Sequence, residues 1–228
     1  RGDILEEWKE EPGEKVLDPE VAFLISDILS DTGISFGQNM QIEGHTVAVK
    51  TGTSTKKLSE TEIYPSNLWT IGYTSDIVTG VWAGNTDGRQ LKYQAEAYYI
   101  AAPVFKSFMT EALKNKVNKP FSKPEGIQRI AVSRASGLLP GPDTPPDQIS
   151  EEYFASFAVP KEIDTSFITV AINTMNGLLA TPYCPKEKVM QKSFRAYHEL
   201  FADQYPSWEE DVQKWIHAKM EAGEITDM

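Results

Sequence analysis

The chain has 228 residues, of which 40% are hydrophobic and 24% charged, and these proportions are typical of a globular protein with at least one sizeable core. Its formal net charge of −11 argues against nucleic acid as a partner, because phosphate binding needs clustered lysine and arginine. The single cysteine, Cys184, excludes an intrachain disulfide. The three histidines lack ligand-spaced partners, so we expect neither a metal site nor a cofactor; they are His45, His198 and His217.

Membrane and export signals are missing from the sequence as it stands. There is no apolar run of the roughly 18–20 residues that cross a bilayer, and there is no signal peptide. The first residue is Arg1 rather than methionine. We therefore expect a longer polypeptide, whose N-terminal part would carry any membrane anchor.

The first half of the chain predicts antiparallel strands between two helices. A helix begins at Asp18 and Pro19, which are typical of an N-cap and a first helical position. Alternating and helical spacings predict the other elements, with a kink or a broken start at Pro103. The predicted elements are a helix over 19–30, a strand over 45–53, a polar loop over 54–66, strands over 68–74 and 77–83, and a helix over 94–115.

The second half contains an internal repeat with an offset of forty residues, after a linker rich in proline and lysine. Gly137-Leu138-Leu139 recurs as Gly177-Leu178-Leu179, and the prolines and the phenylalanine that follow recur at the same offset. The pattern predicts two small strand–turn–strand units, over about 126–160 and 166–200. The tail after Pro206 predicts an amphipathic helix.

Four consecutive residues at the end of the first predicted strand carry the most chemistry: Lys50, Thr51, Gly52 and Thr53. Lys50 can supply a positive field, and Thr51 and Thr53 place two hydroxyl groups on one face of the strand. Gly52 lets an extended substrate lie close to the strand, where a backbone N–H can point at an oxyanion. The alternative for the tripeptide alone is a strand end followed by a turn, and the neighbouring segments decide between the two interpretations.

The neighbouring segments provide that context. They are Val16 to Glu20, Ile28-Leu29, Asn67 to Thr74, Val78 to Asp87, Ala101 to Phe105, and Phe108-Met109. Together with Lys-Thr-Gly, one of three motifs common to penicillin-binding proteins and serine β-lactamases, they resemble the class A, bifunctional penicillin-binding proteins over about residues 10–115. The segment around Cys184 is similar, more loosely, to C-terminal extensions of some members.

The resemblance implies an α+β fold, the C-terminal portion of a β-lactamase/transpeptidase-like fold in which helices flank antiparallel strands, followed by small β repeats. The implied domains are 1–118 (part of the transpeptidase domain), 119–205 (the two repeats) and 206–228 (the terminal helix). It also implies catalytic roles for Lys50, in proton transfer, and for the Thr53 N–H, in the oxyanion hole. Thr51, Gly52 and Thr53 would bind the substrate, whose carboxylate the two threonines hold.

The implied function is that of a peptidoglycan D,D-transpeptidase, which cross-links stem peptides through a serine acyl-enzyme. The implied partners are stem peptides ending in D-Ala-D-Ala and β-lactams, with a cell-wall or protein partner for the repeats. The implied location is the extracytoplasmic face of the bacterial membrane, where the intact protein would be anchored.

The nucleophile is where the sequence departs from the family. A Ser-x-x-Lys and a Ser-x-Asn motif should precede Lys50, and neither does; the family's glycosyltransferase domain is also absent. One Ser-x-x-Lys begins at Ser54, a match expected by chance, which we place in the predicted loop and do not take as the nucleophile. We therefore expect this chain alone to be inactive.

Three other functions stay open. A D,D-carboxypeptidase or β-lactamase would use water as the acceptor. A non-catalytic module would bind β-lactams or peptidoglycan without turnover. An interaction module built on the repeats would fold on its own, over about residues 120–228. Three aromatic residues, Trp69, Tyr73 and Trp82, could line a substrate groove, but packing on the sheet face explains them better.

Overall fold

The computed structural model describes residues 6–7, 13–31, 40–59, 61–196 and 204–223. The chain forms two compact units, residues 1–127 and residues 128–228. The first unit combines helices with an antiparallel sheet, so the α+β class expected from the sequence is confirmed. Its elements in chain order are α1 (Pro19–Ser30), β1 (Ala48–Lys57), β2 (Ile63–Tyr73), β3 (Val78–Gly84) and α2 (Ala97–Leu113).

Helix α1 has the bounds that its sequence predicts. The Asp18 carboxylate accepts a hydrogen bond from the Glu20 N–H at 2.9 Å, and Pro19 occupies the first turn, where its missing N–H costs nothing. The helix lies against β1. The Ser26 hydroxyl reaches the Tyr73 hydroxyl at 3.0 Å, which ties α1 to the end of β2.

The predicted loop over 54–66 is wrong, because most of these residues are in strands. The sheet has the order β1-β2-β3, and the β1–β2 pairing continues outward to Lys57 opposite Ile63. The side chains of this outer half of the hairpin are mostly exposed. Their polarity therefore reflects solvent contact rather than the absence of a strand.

Helix α2 covers one face of the sheet. Its buried residues recur at helical spacing and are Ala97, Ala101, Ala102, Phe105, Met109 and Leu113. The predicted range of 94–115 is close. Of the kink or broken start predicted at Pro103, the broken start is wrong, because the helix is continuous across Pro103. Pro103 lies on the exposed side of α2, away from the core.

The second unit contains two antiparallel hairpins and a helix. Its elements are β4 (Gln128–Ser133), β5 (Ile149–Phe154), β6 (Phe167–Asn173), β7 (Val189–Arg195) and α3 (Pro206–Glu221). Strand β4 pairs with β5, and β6 pairs with β7. The predicted strand–turn–strand repeat and the helix after Pro206 are thus both observed.

The repeat extends to individual hydrogen bonds. After β4, Gly137 has a φ of 73° and donates its N–H to the Ser133 carbonyl at 2.8 Å. Forty residues later, Gly177 has a φ of 75° and donates to the Asn173 carbonyl at 2.8 Å. Glycine tolerates this left-handed conformation at no steric cost. The recurring Gly-Leu-Leu therefore encodes the same turn twice.

Asp164 anchors the segment between the two hairpins. Its side chain is buried, with the residue 3% exposed, and its carboxylate accepts hydrogen bonds from the Ser166 N–H at 3.0 Å and the Thr144 hydroxyl at 3.5 Å. Burial raises the pKa of Asp164, but hydrogen bonds from Ser133, Ser166 and Ser136 outweigh that effect and hold the pKa below its ordinary value of 3.8. The native unit therefore favours the charged form.

The change Asp164→Asn is expected to destabilise the second unit by roughly 1–3 kcal/mol at neutral pH, because it disrupts these buried bonds. Since the native pKa is lowered, the stabilisation is present above pH 3.8 and is lost as the pH falls through the native pKa. Hydrogen exchange of the β4 and β5 amides should therefore separate the variant from the original chain at pH 7 and much less in strong acid. The exposed Asp147, changed to asparagine, is the control; an equal effect from both changes would contradict the assignment.

Candidate active site

The four residues predicted to carry the chemistry lie in the middle of β1. Among the described residues, β1 pairs within the sheet only with β2, so its outer edge is free. A free edge presents backbone N–H and C=O groups to an extended peptide, which can add as a further strand. The location thus suits recognition of a peptide substrate.

Thr51 and Thr53 point to the face of the sheet that α2 covers. Leu68, the cross-strand partner of Thr53, packs against Ala97 and Ala101 of α2. The Thr53 hydroxyl accepts a hydrogen bond from the Ala97 N–H at 3.3 Å, so the first residue of α2 fixes the hydroxyl. Both threonines line an open cavity of about 710 Å³.

Residues 93–99 line this cavity together with the threonines of β1, and sequence reasoning missed them. Gln94 has a φ of 64°, the only positive φ of a non-glycine residue among those described. This left-handed conformation is incompatible with a helix, which explains why α2 begins at Ala97 instead of the predicted residue 94. Backbone strain of this kind often accompanies functional sites.

Lys50 and Gly52 lie on the other face of β1. The Lys50 ammonium donates a hydrogen bond to the Thr51 carbonyl at 2.8 Å, and its side chain is exposed. A Cβ added to Gly52 would meet only Trp69 Cβ, at 3.9 Å, so the space beside this residue is open. The lysine and the two threonines therefore lie on opposite faces of β1.

The Ser-x-x-Lys at Ser54 lies within β1 and not in the predicted loop. Residues three apart on a strand point to opposite faces, so Ser54 and Lys57 are not placed to act as a nucleophile and its base. The Ser54 hydroxyl instead contacts the Ser66 hydroxyl at 3.2 Å and the Asn67 amide at 3.0 Å. This geometry agrees with the interpretation of the motif as a chance match.

The aromatic residues singled out in the sequence lie away from the threonine cavity. Trp69 and Trp82 face each other across β2 and β3 on the side of the sheet opposite α2, and they are 43% and 39% exposed. The Trp82 indole N–H donates to the Asn67 side-chain carbonyl at 3.1 Å. Tyr73 stacks edge-on against Phe121, with ring centroids 5.5 Å apart. These contacts fit packing on the sheet face.

No group of histidine, cysteine and acidic residues that could hold a metal occurs within the described part of the chain. His45 and His217 belong to that part, whereas His198 lies outside the described residues. Hydrogen bonds from the Thr181 N–H and hydroxyl lower the pKa of the Cys184 thiol. None of the described helices is both long and apolar enough to span a membrane.

Two different protein-family models match the two halves of the chain. Residues 4–110 match the penicillin-binding protein transpeptidase domain, and residues 123–169 match the C-terminal domain of penicillin-binding protein 1A. Penicillin-binding protein 1A of Clostridium novyi is 32% identical over 203 residues, which cover 85% of this chain and 22% of that protein. Penicillin-binding protein 1A/1B of Bacillus subtilis is 29% identical over 160 residues, covering 64% of this chain and 17% of that protein.

The fold agrees with a solved member. The crystal structure of penicillin-binding protein 1A from Haemophilus influenzae superposes with a TM-score of 0.53 and 24% identity, covering 68% of this chain and 23% of that one. The transpeptidase-like α+β fold predicted from the sequence is therefore confirmed. The chain spans about a fifth of the length of these relatives. With a transpeptidase domain segment followed by a C-terminal domain of the 1A type, the chain belongs to the class A penicillin-binding proteins.

Proposed function

We propose that the chain supplies the Lys50 to Thr53 wall of the active site of a serine D,D-transpeptidase. In this reaction a serine hydroxyl attacks the carbonyl between the two terminal D-alanines of a stem peptide, an ester forms, and the last D-alanine leaves as the peptide bond breaks. An amine of a second stem peptide then takes the acyl group and frees the serine. The observation that carries the proposal is the Thr51–Thr53 hydroxyl pair, which faces a cavity beside a free strand edge.

The threonine hydroxyls bind the substrate carboxylate. Because the Thr53 oxygen already accepts the Ala97 N–H, its own proton is available for the ligand. Ala97 is the first residue of α2, and the positive end of a helix dipole favours an anion near it. Among the described residues that line the cavity, Glu96 alone is acidic, so the attraction comes from the hydroxyls, the helix and Lys50 rather than from the charge of the lining.

Lys50 and the backbone of Thr53 complete this wall. From the opposite face of β1, the Lys50 ammonium adds a positive field and supports proton transfer to or from the serine. Gly52 keeps the strand edge free of side-chain atoms, so the substrate backbone can pair with it. The Thr53 N–H forms half of the oxyanion hole, and the N–H of the nucleophile forms the other half.

The nucleophile in this proposal comes from residues outside the sequence, on Ser-x-x-Lys and Ser-x-Asn motifs. The whole enzyme is anchored in the bacterial membrane and works on its extracytoplasmic face, on peptidoglycan stem peptides and β-lactams. Within the chain, residues 1–118 belong to the transpeptidase domain, 119–205 form the repeats, and 206–228 form the terminal helix.

The chain alone is expected to show no covalent labelling by a fluorescent penicillin after denaturing electrophoresis. The reason is that neither a Ser-x-x-Lys nor a Ser-x-Asn motif precedes Lys50 in the sequence. A polypeptide that also carries the two missing motifs should be labelled at one serine. Rapid stoichiometric labelling of the chain alone would contradict the proposal.

Two measurements separate transpeptidation from the open alternatives. With a stem peptide and an acceptor amine, a transpeptidase gives the cross-linked product, whereas a carboxypeptidase gives only the shortened peptide. The coding sequence upstream of Arg1 distinguishes the enzyme from a non-catalytic binding module. A start codon there with neither motif would exclude the enzyme.

A further inference from the structure

In the first repeat, a segment of the chain itself pairs with the edge formed by Leu139. The Leu139 N–H donates to the Glu162 carbonyl at 2.9 Å, and the Asp164 N–H donates to the Leu139 carbonyl at 2.7 Å. These two bonds make a parallel bridge between Leu139 and Ile163. The first repeat thus shows how this edge pairs with an extended segment, here Glu162 to Asp164.

In the second repeat, Leu179 occupies the position of Leu139. The Asn173 N–H donates to the Leu178 carbonyl and the Ala180 N–H to the Ala171 carbonyl, both at 2.8 Å. This antiparallel bridge, centred on Ile172 and Leu179, turns the Leu179 N–H and C=O away from β6. Within the described residues nothing pairs with these two groups, and Leu179 is 47% exposed.

The charge of the second repeat differs from that of the whole chain. Residues 166–196 contain four basic residues and one acidic residue, a net charge of +3, whereas the chain carries −11. The basic residues are Lys186, Lys188, Lys192 and Arg195. The segment that fills the first repeat has two acidic side chains close to the paired backbone, Glu162 and Asp164. An acidic segment therefore suits the second repeat in charge as well as in backbone pattern.

We infer that the second repeat binds an extended acidic peptide of a partner protein, which adds as a parallel strand at Leu179. The backbone supplies the pairing, since one carbonyl of the peptide accepts the Leu179 N–H and the N–H two residues later donates to the Leu179 carbonyl. The basic residues of the repeat supply the preference for acidic side chains. This inference is independent of the transpeptidase reaction.

Thr181 limits the length of the paired segment. Its equivalent in the first repeat is Gly141, where an added Cβ would overlap the Asp164 carbonyl oxygen. Thr181 has that Cβ, and its N–H is bonded to the Cys184 sulfur at 3.4 Å. A bound peptide must therefore leave the edge directly after the paired residues. The change Thr181→Gly removes this obstacle and should strengthen binding.

The test uses the whole chain and a fluorescent, end-capped peptide with the sequence of residues 162–166, Glu-Ile-Asp-Thr-Ser. Anisotropy titration should show saturable one-to-one binding that weakens with salt and is tighter for Thr181→Gly. The matched control is the same peptide with an N-methyl group on its aspartate, which keeps every side chain but removes the N–H that bonds Leu179. Its affinity should fall by about tenfold or more.

Three results would overturn the inference. One is the absence of saturable binding by the unmodified peptide, and another is equal affinity for its N-methylated form. The third is strong hydrogen-exchange protection of the Leu179 amide in the free chain, because it would mean that the edge is already occupied by the chain itself. Because the control alters the peptide and not the protein, misfolding of a variant cannot produce any of these results.

Discussion

Replacement of Phe105 by alanine is expected to lower the free energy of unfolding of residues 1–127 by about 3–5 kcal/mol, the usual cost of emptying a buried aromatic site. Phe105 is fully buried, with an exposed fraction of 0%, in a cluster with Val49 and Met109. A Cβ added to Gly72 would lie 2.5 Å from Phe105 Cζ, so the ring fills the space that this glycine leaves on β2. Neither β1 nor β2 can move into the space left by the ring without losing its strand pairing.

The matched control is Phe108→Ala on the same helix. Phe108 is 52% exposed, so its removal should change the free energy of unfolding by about 1 kcal/mol or less. Hydrogen exchange of the β2 amides in increasing urea reports the stability of this unit without interference from the second unit. Equal urea dependence for the two variants would show that α2 does not hold the sheet through Phe105.

The fold was predictable where the signals are local. Asp18 and Pro19 determine the start of α1 through a capping bond and a fixed φ, and both effects depend only on neighbouring residues. The repeat was predictable because two copies of one pattern must fold alike. The outer part of the β1–β2 hairpin was not, because its polar residues do not reveal that they pair across the strands.

The arrangement of Lys50 to Thr53 on a strand was predictable, but the surroundings of these residues were not. The alternation of a strand already places Thr51 and Thr53 on one face and Lys50 on the other. The bond between Ala97 and Thr53 joins residues 44 positions apart, and no pattern in either segment indicates it. The left-handed Gln94, which delays the start of the predicted helix to Ala97, also depends on contacts outside its own segment.

Replacement of Thr53 by valine is expected to slow acylation by a β-lactam by about ten- to a hundredfold, in the polypeptide that carries both this chain and the nucleophile motifs. Valine keeps the shape of threonine but loses the hydroxyl that we propose donates to the ligand carboxylate. It also leaves the Ala97 N–H at the start of α2 without its acceptor. The backbone N–H of residue 53 remains, so the oxyanion hole should survive and acylation should be slowed rather than abolished.

Thr55→Val is the matched control, because Thr55 lines the same cavity two residues further along β1 and has no assigned role. Its acylation rate should stay within about twofold of the original. The rate is measured by stopped-flow with a fluorescent penicillin, and a β-lactam ester that lacks the free carboxylate provides the second comparison. If the Thr53 hydroxyl acts on the carboxylate, the ester should acylate the Thr53→Val and Thr55→Val variants slowly and at nearly equal rates. Equal loss with Thr53→Val on the acid and on the ester would show that the hydroxyl supports β1 and α2 instead of the ligand.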